Sequence, residues 1–295
     1  MDLVMTLIAR ADAGKALRRV VDTLARSLRV AGAPDWLAPG IACDLVPVGS
    51  TAVTAEAAAR QAIGAAAIDV LVQPAAGRRK RVLVADLEAT IIENEMLEEL
   101  AEFVGLRAHV AEITRRAMNG ELDFAAALAE RVALLRGLPA TVLDVAASRM
   151  RLMPGARALV ATARAAGVQT ALVSGGFTVF AERIAAELGF DRVVANRLDI
   201  ADGHLAGTVA MPIVTRETKR ETLLTFAAQC GLPPAATLAV GDGANDLPML
   251  GAAGLGVAFR AKPAVAAASR WRIDHADLSA LLYAQGYRAA EILQR

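Results

Sequence analysis

The sequence predicts an α/β chain: a mostly parallel sheet crossed by helices, a helical insert after its first strand, and a small α+β unit ahead of it. Three observations carry this. Short apolar runs recur between segments of helical periodicity along the 295 residues. Residues 93 to about 150 are helical in pattern and contain no good strand. The first 75 residues alternate strand and helix patterns of their own, ahead of Pro74-Ala-Ala-Gly77.

Leu3 to Ala9 reads as a strand, and Ala16 to Val30 carries apolar residues at helical spacing with arginines between. Gly40 to Val48 reads as a second strand region, where Pro47 fits an edge better than a centre. Ala55 to Ala67 is a second helix and Ile68 to Gln73 a third strand. The expected division is 1–77 for this unit and 78–295 for the remainder, with the insert at about 93–152.

The second unit opens with the apolar run Val82-Leu-Val-Ala85. After the insert, the helix Pro154 to Ala166 stops at Gly167 and leads into strand Gln169 to Val173. Phe177 to Leu188 returns as a helix, and Arg192 to Ala195 is a short strand. Asn196 to Met211 reads as a hairpin turning at Asp202-Gly203. Lys219 to Cys230 is a helix, and Ala236 to Val240 and Leu255 to Ala258 are strands. Such alternation implies right-handed crossovers and parallel pairing. There is no internal repeat.

Composition narrows the function classes. A net charge of +1 suggests no polyanionic partner, so nucleic acid is not expected. The basic run Arg78 to Arg81 reads as a solvated linker, with no aromatic residues interleaved. Leu3 to Ala9 is too short for a secretory leader, and no apolar stretch is long enough to span a membrane. Cys43 and Cys230 are too few for a disulfide framework, and His109, His204 and His275 make no metal-ligand spacing. A cytoplasmic protein is expected.

Four segments carry chemistry, each at or beside a strand end: Asp86-Leu-Glu88-Ala-Thr90, Ser174-Gly175-Gly176, Lys219, and Gly241-Asp242-Gly243-Ala244-Asn245-Asp246. Open parallel sheets place ligands beyond the carboxyl ends of their strands. Asp86 and Glu88, two residues apart on extended chain, form a nucleophile and acid/base pair. Asp86, Asp242 and Asp246, with the backbone carbonyl of Glu88, offer the oxygen set that Mg²⁺ prefers. Ser174 and the Gly175 amide at a helix N-terminus can hold phosphate oxygens. Only four of the 32 basic residues are lysines, which marks Lys219 as a compact point charge. Taken singly, Asp86 is equally a turn residue, Ser174 an N-cap, Asp242-Gly243 a turn and Lys219 a surface lysine; their order makes the set specific.

These segments, from about Val82 to Phe259, resemble the haloacid dehalogenase (HAD) superfamily, and within it the phosphoserine phosphatases of serine biosynthesis. The resemblance implies a Rossmann-like parallel-sheet HAD core and Mg²⁺-dependent hydrolysis of O-phospho-L-serine through an aspartyl phosphate. Asp86 is then the nucleophile, Glu88 the general acid/base, and Thr90 a support of the loop. Ser174, Gly175 and Asn245 face the phosphate beside Lys219, and Asp242 and Asp246 bind the metal. In the insert, which the family uses as a cap, Glu95 matches the acid that recognises the substrate amino group. Arg131 matches the arginine that grips its carboxylate, and Met118 and Phe124 match the apolar lining of the lid. The first 75 residues resemble ACT-like domains, which bind amino acids or pair with each other, so a homodimer is within the expectation.

The chain departs from the pattern at Glu88 and Ala89, where the family has Asp and commonly Ser. The extra methylene matters because a displacement of about 1 Å can cost a hundredfold in rate. Two other functions stay open: a phosphatase or phosphotransferase acting on another small phosphomonoester, and a weakly active amino-acid sensor.

Overall fold

The computed structural model describes residues 2–118 and 121–294, and of Met118 only the backbone. The first strands and helices are β1 (Leu3–Ala9), α1 (Gly14–Ser27), β2 (Asp35–Ala38), β3 (Ala42–Leu45), α2 (Ala52–Ile63) and β4 (Ile68–Pro74). They form an antiparallel sheet in the order β2-β3-β1-β4. The expected single strand region at 40–48 is one arm of a hairpin, turned at Gly40 with φ +74°. Its other arm, β2, is only four residues long, too short for a readable alternation. Pro47 lies beyond β3, and β3 is an inner strand rather than an edge.

β1 lacks polar alternation because both its faces are covered. Met5, Leu7 and Ala9 pack under α1 and α2 with Leu17, Val21 and Ala55. Ile8, with Leu37 and Leu71, joins the main core on the other side.

The larger sheet begins with β5 (Val82–Ala85). The insert comes next as α3 (Met96–Glu102), α4 (Arg107–Met118), α5 (Phe124–Ala133) and α6 (Val142–Ala147). Its two crossings lie side by side: the Glu93 amide donates to the Arg151 carbonyl at 2.8 Å, and the Met153 amide to the Ile91 carbonyl at 2.9 Å. Then come α7 (Ala156–Ala165), β6 (Gln169–Phe177), α8 (Thr178–Leu188) and β7 (Arg192–Asn196). The hairpin of β8 (Leu198–Ala201) and β9 (His204–Val209) turns at Asp202-Gly203, φ +50° and +75°. Leu205 of this hairpin exchanges backbone hydrogen bonds with Gly137 and Leu138 of the insert. The chain ends through α9 (Arg216–Gln229), β10 (Thr237–Gly241), α10 (Leu247–Ala252), β11 (Leu255–Phe259), α11 (Pro263–Ala268), β12 (Trp271–Ile273) and α12 (Ala280–Ala284).

Six strands pair in parallel in the order β12-β11-β10-β5-β6-β7. Side chains alternate between two cores. Leu83, Leu172 and Val257 face α7 and α8 with Leu159 and Phe180. Val84, Val173 and Ala239 face α9 and α10 with Leu223 and Met249. Strand β12 was not expected; three residues containing Arg272 give no period to read.

The basic run 78–81 is solvated only in part: Arg79 and Arg81 are exposed, while Arg78 and Lys80 are not. Lys80 is 8% exposed, and its ammonium donates to the Gly77 and Ala235 carbonyls, each at 2.9 Å. Arg78 pairs with Asp44 at 2.7 Å, and Arg79 lies 4.1 Å over the Tyr287 ring. The cause is the returning C-terminal segment, which packs against the first sheet and encloses the connection. Buried Asp69 on β4 accepts from the amides of Asp274, His275 and Ala276. The Trp271 indole donates to the Val72 carbonyl at 3.0 Å. Among the described residues, no helix is long and apolar enough to cross a membrane.

Candidate active site

The carboxyl ends of β5, β6 and β10 are adjacent in the sheet, so the segments leaving these three strands converge. Asp86 leaves β5 and accepts from the Leu87 amide at 2.8 Å. Thr215 caps α9 and closes a capping box with Thr218, which sets Lys219 in the first turn. Lys219 is 1% exposed, and its Nζ lies 2.8 Å from Asp86 Oδ1 and 2.7 Å from Asp246 Oδ1. The other Asp246 oxygen accepts from the Gly243 amide at 3.0 Å. Carboxylate oxygens of Asp86, Asp242 and Asp246 lie within 4.8 Å of one another.

The electrostatics arise from crowding. Burial, then the charge of Asp246, pushes the Asp86 carboxyl up to about 7 against the pull of Lys219. Burial pushes Asp242 up to about 6, opposed by Lys262. Burial alone would lower Lys219, but Asp246 and Asp86 overcome it and keep the ammonium charged. A bound cation would lower both aspartates again.

Glu88 sits in a wide turn over Leu87–Ile91, in which Ala89 takes the left-handed φ of +50°. Its Oε1 accepts from the Met96 amide at 3.2 Å. A Cβ built on Gly176 would stand 2.6 Å from the same oxygen. The extra methylene is therefore accommodated by a missing side chain across the cavity. Burial, then Glu95 and Asp86, raises the Glu88 carboxyl well above the usual range. A protonated acid is what a leaving oxygen needs. Thr90 is fully buried, and its hydroxyl has no partner among the described residues.

Ser174-Gly175-Gly176 is not at a helix N-terminus. The segment continues β6 as a bulge, with the register to β7 shifting between Val173 and Phe177, and α8 begins at Thr178. Ser174 Oγ accepts from the Gly176 amide at 2.9 Å. Asn196 holds this segment by donating to the Gly175 carbonyl at 2.7 Å. Asn245 faces Gly175, and its Oδ1 is buried with no partner among the described residues.

The insert closes the other side. Glu95 N-caps α3, and Asp123 caps α5 so that Phe124 opens it. The Phe124 ring lies where a Gly175 side chain would be, 2.8 Å from the built Cβ. Arg131 is 4% exposed and shares this cavity with Asp86, Glu88 and Glu95. The Met118 side chain lies outside the described residues.

Sequence reasoning missed Lys262. It stands 3.2 Å from Asp242 and 3.9 Å from Glu95, bridging the metal side and the insert side. The signal was available: Lys262 is another of the rare lysines, three residues beyond the end of β11.

The cavity is about 30 Å³, room for one or two waters and not for a phosphorylated amino acid. With Glu88 protonated, four carboxylates (Asp86, Glu95, Asp242, Asp246) meet three cations (Lys219, Lys262, Arg131), leaving one negative charge in excess. An all-oxygen donor set with that surplus fits a divalent cation of the hard type.

The model for the haloacid dehalogenase-like hydrolases matches residues 83–251. The phosphoserine phosphatase SerB2 of Mycobacterium tuberculosis is 48% identical over 227 residues, 76% of this chain. The chain spans only 56% of that relative's length. The phosphoserine phosphatase of Streptococcus thermophilus is 44% identical over 72% of this chain and 96% of its own. A HAD family hydrolase of Salmonella enterica serovar Typhi superposes with a TM-score of 0.83 at 29% identity, covering 96% of this chain and 97% of that one. That match includes the first sheet.

Proposed function

The chain belongs to the haloacid dehalogenase-like hydrolase family, and from that premise we propose that it hydrolyses O-phospho-L-serine to L-serine and phosphate. One observation carries the choice of substrate. Buried Arg131 faces the cavity of Asp86 and is hydrogen-bonded to a carbonyl and a hydroxyl, while the charges of Glu88, Glu95 and Glu98 act on it without a direct ion pair. A buried cation whose hydrogen-bond partners are neutral is costly, so it suits a ligand that brings an anion. Glu95 offers the complementary charge for an ammonium. The relatives named phosphoserine phosphatases support the same substrate.

In this reading, an Asp86 oxygen attacks phosphorus and the bond to the serine oxygen breaks. Glu88 gives its proton to that oxygen. Water then attacks the aspartyl phosphate, Glu88 takes the water proton, and the Asp86–phosphorus bond breaks. Lys219, Ser174 and Asn245 hold phosphoryl oxygens. Mg²⁺, held by Asp86, Asp242, Asp246 and the Glu88 carbonyl, would supply charge against those oxygens when bound. Phe124 excludes water over the site.

Residues 1–77 are the ACT-like unit of this proposal, 78–295 the catalytic unit, and about 93–152 its cap. A cytoplasmic setting belongs to the same reading, supported by the two free thiols Cys43 and Cys230. The test is phosphate release from a panel of phosphomonoesters, with Mg²⁺ and with chelator. Phosphoserine should be the preferred substrate and chelator should stop turnover; equal rates across the panel would sink the assignment.

A further inference from the structure

The Arg131 guanidinium is held by two bonds. Nε donates to the Ala127 carbonyl of its own helix at 2.9 Å, and Nη1 donates to Thr114 Oγ1 of α4 at 2.8 Å. Both ends of the second bond are sequestered: Thr114 and Arg131 are each 4% exposed. An arginine has five N–H donors, so most of the fork remains for an incoming anion.

We propose that Thr114 is a positioning residue for the substrate carboxylate, fixing the Arg131 plane through a neutral oxygen that leaves its charge free. The residue type is what makes this work. An acid at 114 would orient the guanidinium equally well but neutralise it, and would compete with the ligand. An isosteric valine would let the fork rotate, and carboxylate recognition needs two parallel N–H groups in one plane. A threonine hydroxyl accepts the bond and adds no charge. Thr114 and Arg131 also sit on different helices of the insert, so this bond ties the gripping residue to the neighbouring helix.

The inference rests on the phosphoserine reading in taking the substrate to carry a carboxylate. The test compares phosphoserine with phosphoethanolamine, which keeps the amine and phosphate but has no carboxylate, using full-length protein with Mg²⁺. One hydrogen bond is worth roughly tenfold. T114V should raise KM for phosphoserine about tenfold with kcat within about twofold, and should leave both constants for phosphoethanolamine unchanged. T114S should restore the wild-type KM. T114E should abolish the preference for phosphoserine while phosphoethanolamine is still hydrolysed, which keeps the idea testable should the valine variant fold poorly. Equal losses on both substrates, or none on phosphoserine, would overturn the role of Thr114. A wild-type protein with no preference between the two would overturn the phosphoserine reading itself, and the inference with it.

Discussion

The two sides of the cavity treat charge in opposite ways. On the strand-end side, Asp86, Asp242 and Asp246 each have a lysine within 3.2 Å. On the insert side, Arg131 rests on a carbonyl and a hydroxyl, and Glu95 lies 3.9 Å from Lys262. The first side is assembled before any ligand arrives. The second is oriented but electrostatically incomplete. A reaction centre needs fixed groups where charge develops, whereas a recognition surface needs groups with charge to spare.

That contrast is open to direct attack. The largest effect is expected from Asp86→Asn, which should lower turnover by at least about four orders of magnitude on every substrate alike. A variant that spared any one substrate in a phosphate-release assay would break the division between the sides.

Next is Gly176→Ala. The methyl would meet Glu88 Oε1 and Cδ at 2.6 and 3.0 Å. A displaced acid/base should cost kcat about a hundredfold. Glu88→Asp in the Gly176→Ala background should recover part of it, since the shorter acid clears the methyl. Unchanged kcat in Gly176→Ala would mean that the Glu88 carboxyl does not act from this position.

The smallest effect is thermodynamic. In metal-free protein, Asp86 is raised to about 7 and Asp242 to about 6. The unfolded chain loses these protons near pH 3.9. The folded protein thus binds more protons between those values, and its stability falls as pH rises from about 4 to about 7. Mg²⁺ at a hundred times its Kd would add about 2.7 kcal/mol. Its effect on Tm should be several degrees at pH 7.5 and much smaller at pH 5, where protons compete for the same oxygens. Thermal melts at the two pH values would show this, and T114V should leave the shift unaltered. Equal shifts at both pH values would place the cation elsewhere.

Much of the strand-end side was legible in the sequence because its acids follow apolar strands and its lysine is one of only four. Asp86, Asp242, Asp246 and Lys219 fall together as their order implied. The helical insert and the parallel sheet could be read from their periods. The failures have physical causes. Strands β2 and β12 are too short to show a period. Ser174 was read as a helix cap because β6 runs on through the two glycines to Phe177, beyond where its apolar run ends. The run 78–81 looked wholly solvated because the chain that covers Lys80 lies about 200 residues later. Thr114 gave no local signal, since it matters through Arg131; Gly176 was read with the Ser174 segment, but not for the room it leaves Glu88.

The insert leaves and rejoins the sheet at neighbouring points, where residues 91–93 run beside 151–153. A loop rooted on so narrow a base is topologically inert: its length and sequence can change without altering which strand lies next to which. Heritable change can therefore act on leaving-group preference and on phosphoryl chemistry separately. A descendant with a different insert could take a different alcohol while keeping Asp86 and Lys219 as they stand.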